Sequence, residues 1–425
     1  MKILLLLLFQ SVVLSPQQDD GAASDSLTLA QAQIEAQQTA PARSEFEIQR
    51  MVALLNQQNI STAYFPEFSV IGQAVYNSEV AEIPFSVPGQ DTPSISNDQY
   101  KLGLSIEQLI FDGGSTGRRK NLEQASLDYA NQTVAVSLYS IRQNVERSFF
   151  GALIAQARLR SLRVRTEDLL SKLEEINALV DEGVLTTTSV DQIRVEVLSL
   201  RQQVRSVEIE ARTAIDILGQ WMGRDLPPDI RLVTPDARVH SDSIARRPEF
   251  RQFELARAVL DRQDALQTVT RKPRVTSFGE VAYGRAPGLN LFENSFKPYF
   301  SLGVRLRWAA WDWNRSRNGS QIIQLKKSSL DVSESQFELQ LNVALSQKRN
   351  DIQRLQSALE IDDDVITLRQ RIRTEAESRF DNGIESAADY VREVNAEQLA
   401  ILARELHRIE LSKALVEYHT IQGKR

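Results

Sequence analysis

The sequence predicts a mainly α-helical chain with membrane β-structure. Duplicated strand–strand–helix–helix units would form a trimeric 12-stranded β-barrel joined to a long periplasmic α-helical barrel. Three observations predict it. No proline lies between Pro93 and Pro227 or after Pro298, so two long stretches carry no helix breaker. Four segments of about ten residues switch to a period of two, the length a tilted membrane strand needs. The landmarks of the first half also return in order in the second, at an offset of about 200 residues.

Composition narrows the field first. The 425 residues carry 50 Lys+Arg against 56 Asp+Glu, a net charge of −6 that argues against a nucleic-acid binder. The chain has no cysteine, which excludes thiol catalysis, disulfides, Fe–S clusters, Cys-zinc sites and a lipidated N-terminal cysteine. Its three histidines, His240, His407 and His419, are too scattered in sequence to suggest a shared site. Residues 1–23 read as a secretory signal peptide: Met1-Lys2, then the apolar run Ile3 to Phe9 and Val12 to Leu14, with Gly21-Ala22-Ala23 as the small-residue cleavage region.

The duplication divides the rest. Pro66-Glu67-Phe68-Ser69-Val70 returns as Pro273-Arg274-Val275-Thr276-Ser277, and Tyr100-Lys101-Leu102-Gly103-Leu104 as Phe300-Ser301-Leu302-Gly303-Val304. Phe111-Asp112 returns as Trp311-Asp312, and Glu182-Gly183-Val184 as Asn382-Gly383-Ile384. The first repeat then covers 24–223, a Pro-containing linker 224–242, and the second repeat 243–421.

The first repeat opens with a helix expected from Leu27 to about Ile60. Strands follow at 66–77 and 99–110, in which Tyr100, Leu102, Leu104 and Ile106 oppose Lys101, Gly103, Ser105 and Glu107. The matching strands are 273–284 and 298–309, where Phe300, Leu302, Val304, Leu306 and Trp308 oppose Ser301, Gly303, Arg305 and Arg307. Long helices are expected over 115–181 and 316–380. At 1.5 Å per residue, ~65 residues make a rod of roughly 100 Å, which must be packed along its length, as in a coiled coil or helical barrel. Gly183 and Gly383 suit left-handed helix caps. Thr188-x-x-Asp191 and Ser386-x-x-Asp389 then resemble capping boxes opening the return helices 189–222 and 387–421.

Four strands cannot close a barrel, and each unpaired edge group costs several kcal/mol in lipid. Three copies would give twelve strands around a lumen lined by Lys101, Glu107, Arg305 and Arg307. Phe111, Trp308, Trp311 and Trp313 at the strand ends would sit at the periplasmic interface with outer-membrane lipid.

Taken together, these residues resemble the TolC-type outer-membrane factor (outer membrane efflux protein) family. The resemblance rests on the duplicated units, Phe111-Asp112-Gly113-Gly114, Trp311-Asp312, Gly183-Val184-Leu185, Gly383-Ile384, Leu218-Gly219-Gln220-Trp221-Met222-Gly223 and Arg247-Pro248-Glu249. It implies a homotrimeric, porin-like channel-tunnel in the cell outer membrane of a Gram-negative-type bacterium, gated at its periplasmic end. Such a channel is the exit duct of a tripartite efflux pump or type I secretion system. Its partners would be a periplasmic adaptor (membrane fusion) protein and an inner-membrane RND or ABC transporter.

The resemblance also implies an aperture at Asp389, six residues after Gly383, with Asp191 its first-repeat counterpart. Three copies of Asp389 would form an acidic ring, while a helix N-terminal carboxylate favoured by the dipole is the plainer role. Arg392, Phe380 and Glu385 depart from the family pattern, and an Asp389–Arg392 pair could substitute for its links. Gly183, Val184, Leu185, Gly383 and Ile384 would be the adaptor-docking tips, or simply helix caps.

No enzyme, cofactor or metal site is expected. Asp362-Asp363-Asp364 reads as a solvated helix face, and no phosphate loop follows a strand. The competing reading is a soluble periplasmic coiled-coil adaptor or scaffold, which would leave the four alternating strands unexplained.

Overall fold

The computed structural model describes residues 26–80, 95–182, 186–236 and 247–423. The expected signal peptide, the Gly183-Val184-Leu185 turn and part of the linker lie outside them. The chain divides into two compact units. One holds the described parts of residues 1–36, 144–238 and 352–416, the other those of 37–143, 239–351 and 417–425.

The second of these units contains the sheet. Strands β2 (Glu67–Tyr76), β3 (Asp98–Phe111), β5 (Arg274–Arg285) and β6 (Phe296–Arg307) pair antiparallel in the order β2-β3-β5-β6. The two hairpins of the duplication therefore meet through β3 and β5, and β2 and β6 are the edges. The register keeps two faces apart. Val70 pairs with Leu104, Leu104 with Val281 and Val281 with Phe300, while Ser105 pairs with Glu280 and Glu280 with Ser301.

The first face is apolar and open: Phe68 is 76% exposed, Phe300 75% and Leu302 79%. Burying one Val, Leu or Phe side chain is worth about 1.5–3 kcal/mol. For Phe68, Val70, Phe300, Leu302, Val304 and Leu306 alone, all more than 60% exposed, water contact would cost about 9–18 kcal/mol. That matches or exceeds the whole stability of a typical domain, about 5–15 kcal/mol. Water is the wrong solvent for this face.

Helix α2 (Glu45–Ser61), α5 (Pro248–Gln267), the starts of α3 (Ser115–Asp181) and α6 (Arg315–Asp381), and the end of α7 (Ala387–Gln422) complete this unit. The Arg247-Pro248-Glu249 motif opens α5. Pro248 takes a first-turn position, where no N–H is needed. Arg247, 7% exposed, donates from Nε to Glu249 Oε2 at 3.0 Å and lies over the Tyr139 and Phe337 rings at 5.1 and 5.4 Å.

The other unit contains α4 (Thr187–Met222), the later parts of α3 and α6, most of α7, α1 (Leu29–Thr39), and a short parallel pair of β1 (Ser26–Thr28) with β4 (Arg231–Val233). Gly223, at φ 71°, ends α4, with Arg224 N–H donating to Gly219 O at 3.1 Å. Gly219 is required there, since a Cβ would lie 2.6 Å from Arg224 O.

Three expectations are corrected. The single helix from Leu27 to about Ile60 is β1, α1, a 3-10 turn at Pro41–Ser44, and α2. Pro41 cannot donate an N–H and forces the break. The Pro-containing linker carries β4, which pairs with β1. The Thr188 capping box does not form: Thr186 is the N-cap, with Thr186 Oγ1 3.4 Å from Ser189 Oγ, and Thr188 lies inside the helix.

Candidate functional site

Two regions carry the residues singled out above. The first is the turn between α6 and α7 in the helical unit, with the start of α4. At the end of α6, Gly383 has φ 70°, its N–H donates to Phe380 O at 2.9 Å, and Ile384 N–H donates to Arg379 O at 2.9 Å. That is the Schellman closure, and it leaves Ile384 74% exposed. Ser386 then caps α7. Asp389 N–H donates to Ser386 Oγ at 3.2 Å, and the hydroxyl donates to Asp389 Oδ2 at 2.7 Å. Arg392 Nη1 lies 3.0 Å from Asp389 Oδ1. The Ser386 hydroxyl, with Arg392 beside it, holds the Asp389 carboxyl below its ordinary range.

Asp191 stands two residues further into its helix than Asp389 does in α7. Starting α4 at Thr187 places it in the second turn, where it sits 3.8 Å from Arg194 and meets no cap. Asp191 and Arg392 both line one groove of about 760 Å³ between α4 and α7, with Val195 and Leu399 as its apolar part. Asp389 does not line it.

Sequence reasoning missed Lys172. It is 6% exposed, 3.0 Å from Asp381 Oδ1 and from Glu175 Oε2, and 3.7 Å from Glu377. Its ammonium stands 5.9 Å from the Phe380 ring and 5.5 Å from the Tyr390 ring, themselves stacked 5.5 Å apart. Burial would lower its pKa, but the bonds to Asp381 and Glu175 prevail and raise it. The apolar cluster around it includes Leu169, Ile176, Ile193, Val197, Tyr390 and Val394. A signal existed: Lys172 lies three residues after Leu169 and four before Ile176, on the apolar stripe. The Asp362 carboxylate is likewise no solvated group. It is 15% exposed and 2.7 Å from His407 Nδ1, while Asp363 pairs with Arg404 at 2.9 Å. No cluster of three or more metal-ligating groups occurs among the described residues.

The second region is the sheet and its strand-to-helix junctions. On the polar face Lys101 Nζ lies 2.5 Å from Glu280 Oε1, and Tyr299 OH donates to the same oxygen at 3.0 Å. Arg305 reaches Glu107 at 3.4 Å and lies over the Phe278 ring at 4.9 Å. Arg307 faces Arg274 across β5–β6.

Below β3, Asp112 accepts from the N–H groups of Gly114 (2.8 Å) and Thr116 (2.6 Å) and from Tyr64 OH (3.1 Å). Burial pushes this carboxyl up, but the bonds from Thr116, Gly114 and Tyr64 outweigh it and bring it down to about 2. Asp312, its counterpart, accepts from the Ser316 N–H at 3.0 Å and from the Ser316 hydroxyl. After each aspartate two residues take positive φ: Gly113 (69°) and Gly114 (91°), then Trp313 (52°) and Asn314 (62°). Phe111, Trp308, Trp311 and Trp313 are all exposed at these junctions, and Trp308 Nε1 donates to Arg271 O at 3.0 Å. The tryptophans form no core.

A mostly helical chain with an open, one-face-apolar antiparallel sheet has the architecture of an outer-membrane channel-tunnel subunit. The comparisons with known proteins agree. Residues 32–224 match the family described as outer membrane efflux protein. No curated protein sequence matches the chain. The structure of the outer-membrane channel OprN superposes with a TM-score of 0.68 at 17% identity, covering 93% of this chain and 90% of that one. VceC from Vibrio cholerae gives 0.65 at 13%, covering 93% and 96%. Campylobacter jejuni CmeC gives 0.66 at 14%, covering 93% and 85%. The resemblance to TolC-type outer-membrane factors is thereby borne out, and the matched proteins are channels, not enzymes.

Proposed function

We propose that this protein is an outer-membrane efflux channel of the TolC type, the exit duct for cargo carried out of the periplasm. The carrying observation is the sheet. It has two unpaired edges and an apolar face most of whose large side chains are exposed, so it is at rest only in lipid and only when its edges meet other strands. Three copies supply twelve strands and enclose a lumen lined by Lys101, Glu107, Arg305 and Arg307. Phe111, Trp308, Trp311 and Trp313 take the periplasmic interface.

At the periplasmic end, Asp389 and Arg392 from three subunits surround the aperture, with Asp191 on the neighbouring helix pair. Gly383 and Ile384 form a surface that an adaptor protein grips, with Gly183, Val184 and Leu185 as the expected first-repeat counterpart. An RND or ABC transporter in the inner membrane delivers the cargo, in a tripartite pump or a type I secretion system. The soluble-adaptor reading would leave the sheet face in water, and no observation favours it.

The test is extraction and reconstitution. The protein should require detergent, run as a heat-labile trimer of the mature chain, and conduct in planar bilayers. A soluble monomer without detergent would refute the channel. Asp389→Ala should alter conductance or reduce cation selectivity; no change in either would remove the acidic aperture while leaving the channel intact.

A further inference from the structure

A cavity of about 570 Å³ lies in the sheet-containing unit, where β3 and β5 give way to α3, α6 and the 3-10 turn Thr268–Arg271. Leu109, Val269 and Ile323, each less than a tenth exposed, give it an apolar floor. Arg119, Lys272, Arg274 and Lys326 also line it and are exposed. None of these four cations has an ion-pair or side-chain hydrogen-bond partner among the described residues. One carboxylate lines the cavity, that of Asp112, and its oxygens already accept from Gly114, Thr116 and Tyr64. Four uncompensated positive charges therefore surround one satisfied negative charge.

Strand alternation fixes the side on which this cavity lies. Leu109 follows Lys101 and Glu107 on one face of β3, and Arg274 shares the face of Glu280 on β5. Both belong to the polar face, opposite Leu104, Val281 and Phe300. A bilayer lipid on the apolar face would not reach it. The size falls within the usual range for small-molecule sites, about 300–1,000 Å³. The combination of dry floor and clustered cations selects a ligand with both an apolar body and an anionic head.

We propose that this cavity binds an amphiphilic organic anion, a sulfonate, carboxylate or phosphate carried on a compact ring system. The inference deepens the channel reading and rests on it in one respect: only if the polar face lines a lumen is the ligand a passing cargo. Arg119 and Lys326 supply charge from α3 and α6, Lys272 from just after the 3-10 turn, Arg274 from the start of β5, and Leu109, Val269 and Ile323 hold the ring.

Equilibrium dialysis of naphthalene-1-sulfonate against the full chain in nonionic detergent tests it. The wild type should bind saturably, and Arg119→Gln/Lys326→Gln roughly tenfold more weakly. Uncharged naphthalene-1-methanol should show no saturable binding. Should the double variant not assemble, Lys326→Gln alone and the weakening of wild-type binding by added salt give the same discrimination. Absent wild-type saturation, an unaltered variant affinity, or equal binding of the uncharged analogue would overturn the site. Planar-bilayer conductance of the same preparation separates the two readings. A protein that binds the sulfonate but forms no pore refutes the channel alone, and one that conducts without binding refutes the site alone.

Discussion

Replacing Asp112 by Asn probes how the sheet hands over to the long helix. The carboxylate holds the N–H of Gly114, the N–H of Thr116 in the first turn of α3, and Tyr64 OH at once. An amide keeps one acceptor and turns an NH₂ donor toward groups that are themselves donors. The magnitude follows from linkage. The folded carboxyl sits at about 2 against an ordinary 3.8; at about 1.4 kcal/mol per unit this is about 2–3 kcal/mol per subunit. Because the folded pKa is depressed, the contribution is complete above the unfolded value, is lost as pH falls from about 4 toward 2, and is absent below both.

Thermal unfolding of reconstituted wild type and Asp112→Asn, followed by circular dichroism, measures it. The variant should melt lower at neutral pH, and the gap should close as the medium approaches pH 2. A gap that persists in acid, or none at neutral pH, would refute the reasoning. Asp312→Asn is the internal comparison. That carboxylate, lowered chiefly by the Ser316 hydroxyl and N–H, is more open and should matter less.

Other outcomes follow from the same geometry. Asn314→Gly should raise the melting temperature only slightly, by about 0.5 kcal/mol of stability, because φ 62°, which asparagine tolerates better than other side chains, is freer still for glycine. Gly113→Ala should do the opposite, since its Cβ would lie 2.5 Å from Lys272 Cβ at φ 69°; equal melting of both variants with wild type would contradict this. Lys172→Met should cost about 1–3 kcal/mol in denaturant unfolding, since Asp381 and Glu175 lose their cation but remain partly open to water. This loss should hold from neutral pH up to about 10, because a raised lysine pKa keeps the ammonium charged over that range. Leu302→Arg, on the apolar face, should impair refolding into liposomes by about 2–4 kcal/mol, while Ser301→Arg on the other face should be tolerated; equal losses would mean the faces are misassigned.

Much of the fold was readable because it is written in long periods. Ten residues of alternation from Tyr100 or Phe300 identify a strand, and an unbroken run such as Ser115–Asp181 leaves only a helix. Short features carry no period. β1 and β4 have three residues each and exist only through one another. The Trp313-Asn314 turn was disguised because left-handed residues announce themselves as glycines. Its kinship with Gly113-Gly114 shows only when the repeats are aligned. The Lys172 cluster was hidden for a different reason. A lysine among leucines reads as a surface residue until Asp381 and Glu377, more than two hundred positions away, are seen beside it. The four cations of the cavity come from α3, α6 and the segment leading into β5, and no spacing rule connects them.

The two bare rims of the sheet, at β2 and β6, also govern how the protein comes into being. In the proposed trimer a newly exported molecule completes its hydrogen bonding only on meeting its siblings, so dilution should slow maturation. Until that meeting the hairpins are a hazard, ready to pair with any stray extended peptide.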